Sequence, residues 1–404
     1  MKNLITKIAL LVLQTTAIAS TPQIQNPQQP TDHPAQQAVT SSLTIPTTMV
    51  AGKHEIPLCS TLPLKGEFTV LGSKIFDGMS LFFNKIKKEN ADLQFSYRLT
   101  VLDDQGDMRH AKNNIKKLKK NQSPLFISFL GTEAVKTALP FIQKNNICAL
   151  FPLEGASQFR LEEYKNLIFF RASYKEELEA LIDYAKGAEK DRIAIFYEES
   201  EWGKSVYQTL KDVLASRHME LFAEASYPQD TLSVSKAAKE LAAKAPNAIV
   251  CVAHSRPAYN FIQQIVNRGL HKTVILGLSS LISIQKPLKG SRGIKIVTSS
   301  VVPDPEKSTI QIVQEYRTDL KKYFSNREPS TYSLEGYINA ALLTECTKLI
   351  TFPLTSEKLL QSIEKLKKVR FKGIELIFDP KTRTLCHHVW INDGRKKEWP
   401  IANK

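Results

Sequence analysis

The chain has 404 residues, of which 42% are hydrophobic and 24% charged. These proportions are typical of a globular protein of two or three domains, and they exclude collagen-like, wholly disordered and multi-span membrane proteins. The net charge of +15 would suit an anionic partner, but the basic residues are scattered and no nucleic-acid-binding motif accompanies them. We therefore predict no nucleic-acid partner, and interpret the lysine-rich stretch 116–120 as a solvated helix face.

Residues 1–19 have the three parts of a secretory signal peptide. Lys2 and Lys7 form a basic start, residues 8–13 are apolar, and a small-x-small cleavage pattern ends at Ala19. The apolar stretch is far shorter than the ~20 residues that a membrane span needs. We predict cleavage near Ala19 and a soluble product exported to the periplasm. The alternative is an N-terminal anchor that is retained.

Residues 20–53 differ in composition from the rest of the chain. Between residues 21 and 50 there are five Pro, six Gln and six Thr, and no Gly. Because such a segment has little apolar surface to bury, we predict a disordered leader. Organised sequence is expected from near His54.

From His54 onward, short apolar runs alternate with amphipathic stretches. Strands are predicted at residues 56–59, 97–102, 125–129 and 147–151 in a first block, and at 193–197, 220–227, 248–252 and 273–276 in a second. The stretches between them have helical periodicity. This alternation predicts an α/β protein with two doubly wound parallel-sheet lobes. The tail departs from the pattern, with two or three helices over 305–368 and a closing strand pair at 373–378 and 388–391.

Motifs for catalysis and cofactor binding are absent from the sequence. It contains no Gly-rich dinucleotide or phosphate loop, no zinc-protease motif and no complete serine elbow. We therefore predict a binding protein that is not an enzyme, with no cofactor and no metal site; a secreted hydrolase is the alternative. The five cysteines are widely spaced, and Cys59, Cys148 and Cys251 lie in apolar runs, which favours buried thiols over a disulfide scaffold.

Several short motifs follow one another in a fixed order over residues 54–392. They are Leu62–Gly66 with Leu71–Gly72, Leu102–Asp107, Phe129–Thr132, Phe170–Arg171, Tyr197–Gly203, Arg268–Leu270, Glu335–Tyr337 and Phe378–Asp379. In this order they resemble the leucine/isoleucine/valine-binding proteins, a family of type I periplasmic binding proteins that deliver solutes to ABC transporters. The resemblance implies a small polar solute, the membrane permease of an ABC transporter as partner, and a monomer.

The resemblance also implies a division into two lobes joined by a three-stranded hinge. The three chain crossings are expected near residues 172–174, 299–303 and 366–371. Lobe 1 would then comprise residues 54–172 plus 303–368, and lobe 2 residues 173–302 plus 369–404.

Ligands of open α/β sheets bind beyond the carboxyl ends of the strands, which makes the turns there candidate site residues. Thr132 follows the strand at 125–129, and its hydroxyl either receives a ligand carboxylate or caps a helix. The resemblance adds Leu153, Glu154 and Gly155 through their backbone. The Glu154 side chain is either the counter-charge of an ammonium or a surface glutamate.

On the second lobe, Trp202 matches an aromatic residue that covers the ligand in this family, with core packing as the alternative. Tyr174 at the hinge and Ser255 are weaker candidates. The sequence departs from the family pattern at three site positions. Leu71 replaces a tyrosine, Gly155 a hydroxyl residue and Ser279 the carboxylate that holds an α-ammonium.

These departures leave two interpretations of the ligand. Either Glu154 or Glu67 supplies the missing carboxylate, or the ligand is not an α-amino acid. The sequence thus predicts an exported protein that captures a small polar solute, an amino acid or a related compound being the candidates, and delivers it to an ABC transporter. The alternative is a periplasmic regulator or sensor module of the same fold that binds a protein partner.

Overall fold

The computed structural model describes residues 42–44, 53–89, 92–120, 125–284, 288, 294–395 and 397–402. The predicted signal peptide, residues 1–19, lies outside the described residues. Within them we find no helix with the length and apolar character that a membrane crossing requires. All five cysteines are buried and form no disulfide there, and burial raises the pKa of the Cys346 thiol to about 12.

Strands of the first block form a six-stranded sheet in the order β1-β3-β2-β4-β5-β6. Its strands are β1 (Ser42–Thr44), β2 (His54–Leu62), β3 (Phe95–Asp103), β4 (Leu125–Ile127), β5 (Cys148–Leu150) and β6 (Leu167–Ile168). All neighbouring strands are parallel except β1, which runs antiparallel to β3. The helices of this block are α1 (Thr69–Glu89), α2 (Met108–Lys120) and α3 (Thr132–Lys144).

Strand β1 corrects part of the predicted leader at residues 20–53. The leader was expected to be disordered, yet Ser42, Leu43 and Thr44 pair with residues 100–102 of β3. Without β1, strand β3 would present unpaired backbone groups at the sheet edge, and a short strand satisfies them. The composition of the leader gave no sign of this pairing.

Strands of the second block form a second six-stranded sheet, in the order β14-β11-β10-β9-β7-β8. Its strands are β7 (Ile193–Glu198), β8 (Ala223–Tyr227), β9 (Ala248–Val252), β10 (Val274–Gly277), β11 (Lys295–Ser300) and β14 (Trp390–Asn392). Only β14 is antiparallel to its neighbour, β11. The helices of this block are α4 (Tyr174–Gly187), α5 (Glu201–Ser216), α6 (Ser235–Lys244) and α7 (Ser255–Asn267). The two parallel sheets with their helices confirm the predicted fold class.

The tail adds three helices and a hairpin to the first block. They are α8 (Gln311–Tyr323), α9 (Thr331–Lys348), α10 (Ser356–Glu364), β12 (Val369–Phe371) and β13 (Ile374–Leu376). Helix α9 packs on α1 at very close range, since a Cβ atom on Gly78 would lie 1.9 Å from the carbonyl oxygen of Ser333. Apolar side chains of α1, β3 and α9, with Phe371 and Ile374 of the hairpin, form what we call the first core.

The third chain crossing lies later than the expected 366–371. The amide of Leu385 donates to the Phe169 carbonyl (2.9 Å), and that of Cys386 donates to the Phe170 carbonyl (2.8 Å). The chain thus stays with the first block through Cys386 and reaches the second sheet only at β14. The expected lobe boundary at 368/369 is wrong for this reason, and Phe371, Ile374 and Leu376 of β12 and β13 are buried in the first core.

The predicted closing strand pair, 373–378 with 388–391, is also wrong. Strand β13 pairs with β12, and β14 pairs with β11. Between them, the Asp379 carboxylate accepts hydrogen bonds from the Lys381 amide (2.9 Å) and the Thr382 hydroxyl (2.8 Å), as its turn chemistry suggests.

Candidate functional site

The carboxyl edges of the two sheets face each other, and their turns touch. The rings of Phe68 and His254 lie 4.6 Å apart between centroids, and the Tyr332 hydroxyl donates to the Ser280 carbonyl at 3.3 Å. At the rim, Lys136 Nζ lies 2.9 Å from Glu201 Oε2. We call the space between these edges the cleft; turns after β4 and β5 line one side, and turns after β7, β9 and β10 the other. The two sides of the cleft are therefore in contact at these residues.

Thr132 is the first residue of α3 and holds a carboxylate of the chain itself. Its hydroxyl donates to Glu154 Oε2 at 2.7 Å, and the amide of Ala156 donates to Glu154 Oε1 at 2.5 Å. The N-cap residue of α3 is Gly131, so the interpretation of Thr132 as the cap is wrong. Glu154 has no exposed surface, so it is not a surface glutamate. Burial raises the pKa of Glu154, while its hydrogen bonds from Thr132 and Ala156 oppose that shift.

Gly155 and Tyr174 fit together at the hinge. The Tyr174 amide donates to the Gly155 carbonyl at 2.7 Å, and a Cβ atom on Gly155 would lie 2.3 Å from the Tyr174 ring. The ring therefore requires glycine at position 155. Burial raises the pKa of Tyr174 well above its ordinary value, which keeps the phenol neutral. Leu153 is buried in the first core, and its amide donates to the Phe129 carbonyl at 2.9 Å.

Ser279 belongs to a buried ionic cluster centred on Arg171. The Arg171 guanidinium lies 2.5 Å from Ser279 Oγ, 3.4 Å from Glu177 Oε1 and 3.8 Å from Glu335 Oε1. Glu177 in turn accepts hydrogen bonds from the Ser279 amide (2.7 Å) and the Ser299 hydroxyl (2.6 Å). Burial disfavours a charged Arg171, but the carboxylates of Glu335 and Glu177 outweigh it and raise its pKa.

A second buried arginine, Arg160, holds the loop after β5 against the hinge. It donates to the backbone carbonyls of Glu154 (2.8 Å) and Arg171 (3.0 Å), and to the Thr384 hydroxyl (2.7 Å). Burial lowers the pKa of Arg160 to about 10, so it is still a cation at neutral pH. The walls of the cleft thus bury two guanidinium groups and three carboxyl groups.

Trp202 lies on the opposite wall, in the first turn of α5. It is 6% exposed, and its ring stacks on that of His254, with 5.1 Å between centroids. His254 Nε2 lies 3.8 Å from Glu198, behind this stack. The indole Nε1 of Trp202 is buried and has no hydrogen-bond partner among the described residues.

The other predicted site residues lie apart from these contacts. Leu71 packs partly buried against the first core, and Glu67 is exposed. Ser255 is exposed, and its hydroxyl lies 3.0 Å from that of Ser283. Sequence analysis missed Arg160, Glu177 and His254 entirely, and it quoted Arg171 and Glu335 only as motif residues. Arg171 and His254 each directly follow a strongly apolar run, which is a signal in the sequence, whereas Arg160 and Glu177 stand among other charged residues and give none.

Comparisons with known proteins support the family resemblance. A family whose description is "Periplasmic binding protein" matches residues 55–397. A relative from Brucella abortus (strain 2308), "Leu/Ile/Val-binding protein homolog 7", is 22% identical over 308 residues, which cover 72% of this chain and 76% of the relative.

Solved structures show the same fold. One is a possible leucine/isoleucine/valine-binding protein from Rhodopirellula baltica SH 1 (TM-score 0.78, 21% identity, 88% of this chain and 98% of that one). Another is a solute-binding protein of an ABC transporter from Rhodopseudomonas palustris BisB5, in complex with 3,4-dihydroxybenzoic acid (TM-score 0.73, 17% identity, 87% and 98%).

Proposed function

Because the chain belongs to the periplasmic binding protein family, we propose that it is exported to the periplasm, captures a small polar solute in the cleft and delivers it to the membrane permease of an ABC transporter. In this proposal it acts as a monomer, by binding and not by catalysis. Residues 54–172 with 303–386 move as lobe 1, and residues 173–302 with 387–402 move as lobe 2. The solute is released when the lobes separate.

The Trp202 indole N–H, which has no hydrogen-bond partner in the part of the chain that the structure describes, is the observation that carries this proposal. Leaving a buried donor without an acceptor costs free energy, so a solute that accepts a hydrogen bond from Nε1 would be favoured here. Trp202 also presents an aromatic ring beside His254, which suits an apolar or aromatic part of a solute. The Rhodopseudomonas protein, whose title names an aromatic acid, supports a solute of that size.

Replacing Trp202 with phenylalanine separates a binding role from a packing role. A smaller aromatic ring remains, and Nε1 has no hydrogen-bond partner among the described residues, so the unfolding midpoint is expected to fall only by the modest cost of losing part of a buried ring. A solute that accepts a hydrogen bond from Nε1 should bind roughly 2- to 10-fold more weakly. The experiment screens the wild-type protein by thermal shift against amino acids, amides, polyols and aromatic acids, and then titrates any hit by calorimetry.

Trp399→Phe is the matched control, since Trp399 packs against the first core. It should leave solute affinity unchanged. If Trp202→Phe lowers the unfolding midpoint and leaves affinity unchanged, Trp202 is a packing residue. If no compound binds the wild-type protein, the solute-binding proposal fails.

One observation favours the second candidate, a periplasmic regulator or sensor module. The Arg171 cluster and the Tyr332–Ser280 contact join the two blocks directly. A shut cleft would make the outer surface the functional part. Affinity capture from envelope extracts would then recover a sensor protein or cell-wall enzyme, whereas the solute-binding proposal expects a permease.

A further inference from the structure

Glu154 occupies a position that is built to bind a carboxylate. Each of its side-chain oxygens accepts one hydrogen bond, from the Thr132 hydroxyl and from the Ala156 amide, and the group is fully buried. Thr132 begins α3, so the positive end of that helix dipole also favours a negative charge here. The Thr132 hydroxyl, the Ala156 amide and the N-terminus of α3 together form a binding position for a carboxylate, which we call the carboxylate position. The side chain of Glu154 fills it.

The charges around this position disfavour an anionic solute. Arg160 and Arg171 oppose the carboxyl groups of Glu154, Glu177 and Glu335, and this cluster is almost fully buried. A carboxylate solute would add a further negative charge to a desolvated site in which carboxyl groups already outnumber guanidinium groups, which is costly. Two buried hydrogen-bond donors at the cleft, Trp202 Nε1 and Arg171 Nε, have no partner among the described residues. A solute with hydrogen-bond acceptors could therefore bind to them.

We propose that Glu154 is a built-in occupant of the carboxylate position, so that the cleft rejects free carboxylic acids, α-amino acids among them, and takes an uncharged solute rich in hydrogen-bond acceptors, such as an amide. This inference names the solute class of the cleft and therefore rests on the proposed function. Arg171 likewise blocks the binding of an ammonium group, since its guanidinium already contacts Ser279 and Glu177. An ammonium group would have to displace it.

Glu154→Ala tests the occupied position directly, because the substitution removes a fragment of the size and charge of acetate. The variant leaves the Thr132 hydroxyl and the Ala156 amide without an acceptor beside the space that the side chain filled. Acetate at tens of millimolar is expected to raise its unfolding midpoint by roughly 2–5 °C relative to sodium chloride at equal ionic strength. Wild-type protein should show no such rise.

Glu154→Gln is the matched control, since glutamine fills the same position without charge and should also be insensitive to acetate. Far-UV circular dichroism verifies that both variants fold. If Glu154→Ala folds and acetate does not stabilise it, or if acetate stabilises wild type equally, the proposal is overturned. If the alanine variant does not fold, the comparison of solutes below decides.

Paired solutes test the chemical class in wild-type protein. Benzamide and benzoate have the same ring, as 3-methylbutanamide and 3-methylbutanoate have the same alkyl group. Wild type is expected to bind at least one amide about tenfold or more tightly than its acid, and equal or tighter binding of the acid overturns the proposal. Acetate could stabilise Glu154→Ala although the wild-type protein binds no solute. That result would support the inference that Glu154 fills the carboxylate position, and it would overturn the proposed solute-binding function.

Discussion

Replacing Arg171 with alanine is expected to lower the free energy of unfolding by about 3–5 kcal/mol. The guanidinium is the nearest cation to Glu177 and Glu335, which are both almost fully buried. Without it, Arg160 would be the one buried guanidinium of the cluster left to balance the three buried carboxyl groups of Glu154, Glu177 and Glu335. Urea unfolding followed by circular dichroism measures the loss.

The control for this change is Arg109→Ala. Arg109 pairs with Asp107 at 2.9 Å, but its side chain is 83% exposed, so water replaces the lost partner. No measurable change in stability is expected from it. If Arg171→Ala costs less than about 1 kcal/mol, the cluster does not join the two blocks as we describe.

Replacing Gly78 with alanine is expected to lower the free energy of unfolding by roughly 1–3 kcal/mol, the usual cost of overpacking, with a value toward 3 kcal/mol expected here. A Cβ atom there would lie 1.9 Å from the Ser333 carbonyl oxygen and 2.9 Å from the Tyr337 amide nitrogen. Both are backbone atoms of α9, so the helices α1 and α9 must move apart to make room. Thermal unfolding should show a clearly lower midpoint.

Gly187→Ala is the matched control. Gly187 is the last residue of α4, is exposed, and has open space where a Cβ atom would lie. Alanine there should be neutral or stabilising by up to about 1 kcal/mol, since it restricts the unfolded chain and favours helix. If Gly187→Ala lowered the free energy of unfolding as much as Gly78→Ala, close packing of α1 on α9 would not explain the effect of Gly78→Ala.

Hydrophobic periodicity was sufficient to predict the two α/β blocks. In α1, for example, Ile75, Met79, Phe82 and Ile86 recur at helical spacing, and all four are buried. Periodicity could not give the pairing of short strands. β6 has two residues and β1 three, too few to show a pattern, and the partners of β13 and β14 depend on where the chain crosses between the sheets.

The candidate site was predictable where it depends on position after a strand. Thr132, Glu154, Trp202 and Ser279 each follow a parallel strand, and each lies at the facing sheet edges. The chemistry around them was not predictable. Glu154 is fully buried although glutamate is rarely so, and Glu177 meets Ser279 only because α4 folds against the turn after β10.

Cross-linking across the rim of the cleft tests most directly whether the two lobes close around a solute. Lys136 and Glu201 form an ion pair between α3 and α5, and both side chains are about half exposed. Because the five native cysteines are buried, cysteines introduced at these two positions will react selectively with a short bis-maleimide. We predict that a solute which raises the unfolding midpoint also increases the rate of cross-linking severalfold. The same rate with and without that solute would contradict lobe closure on a ligand.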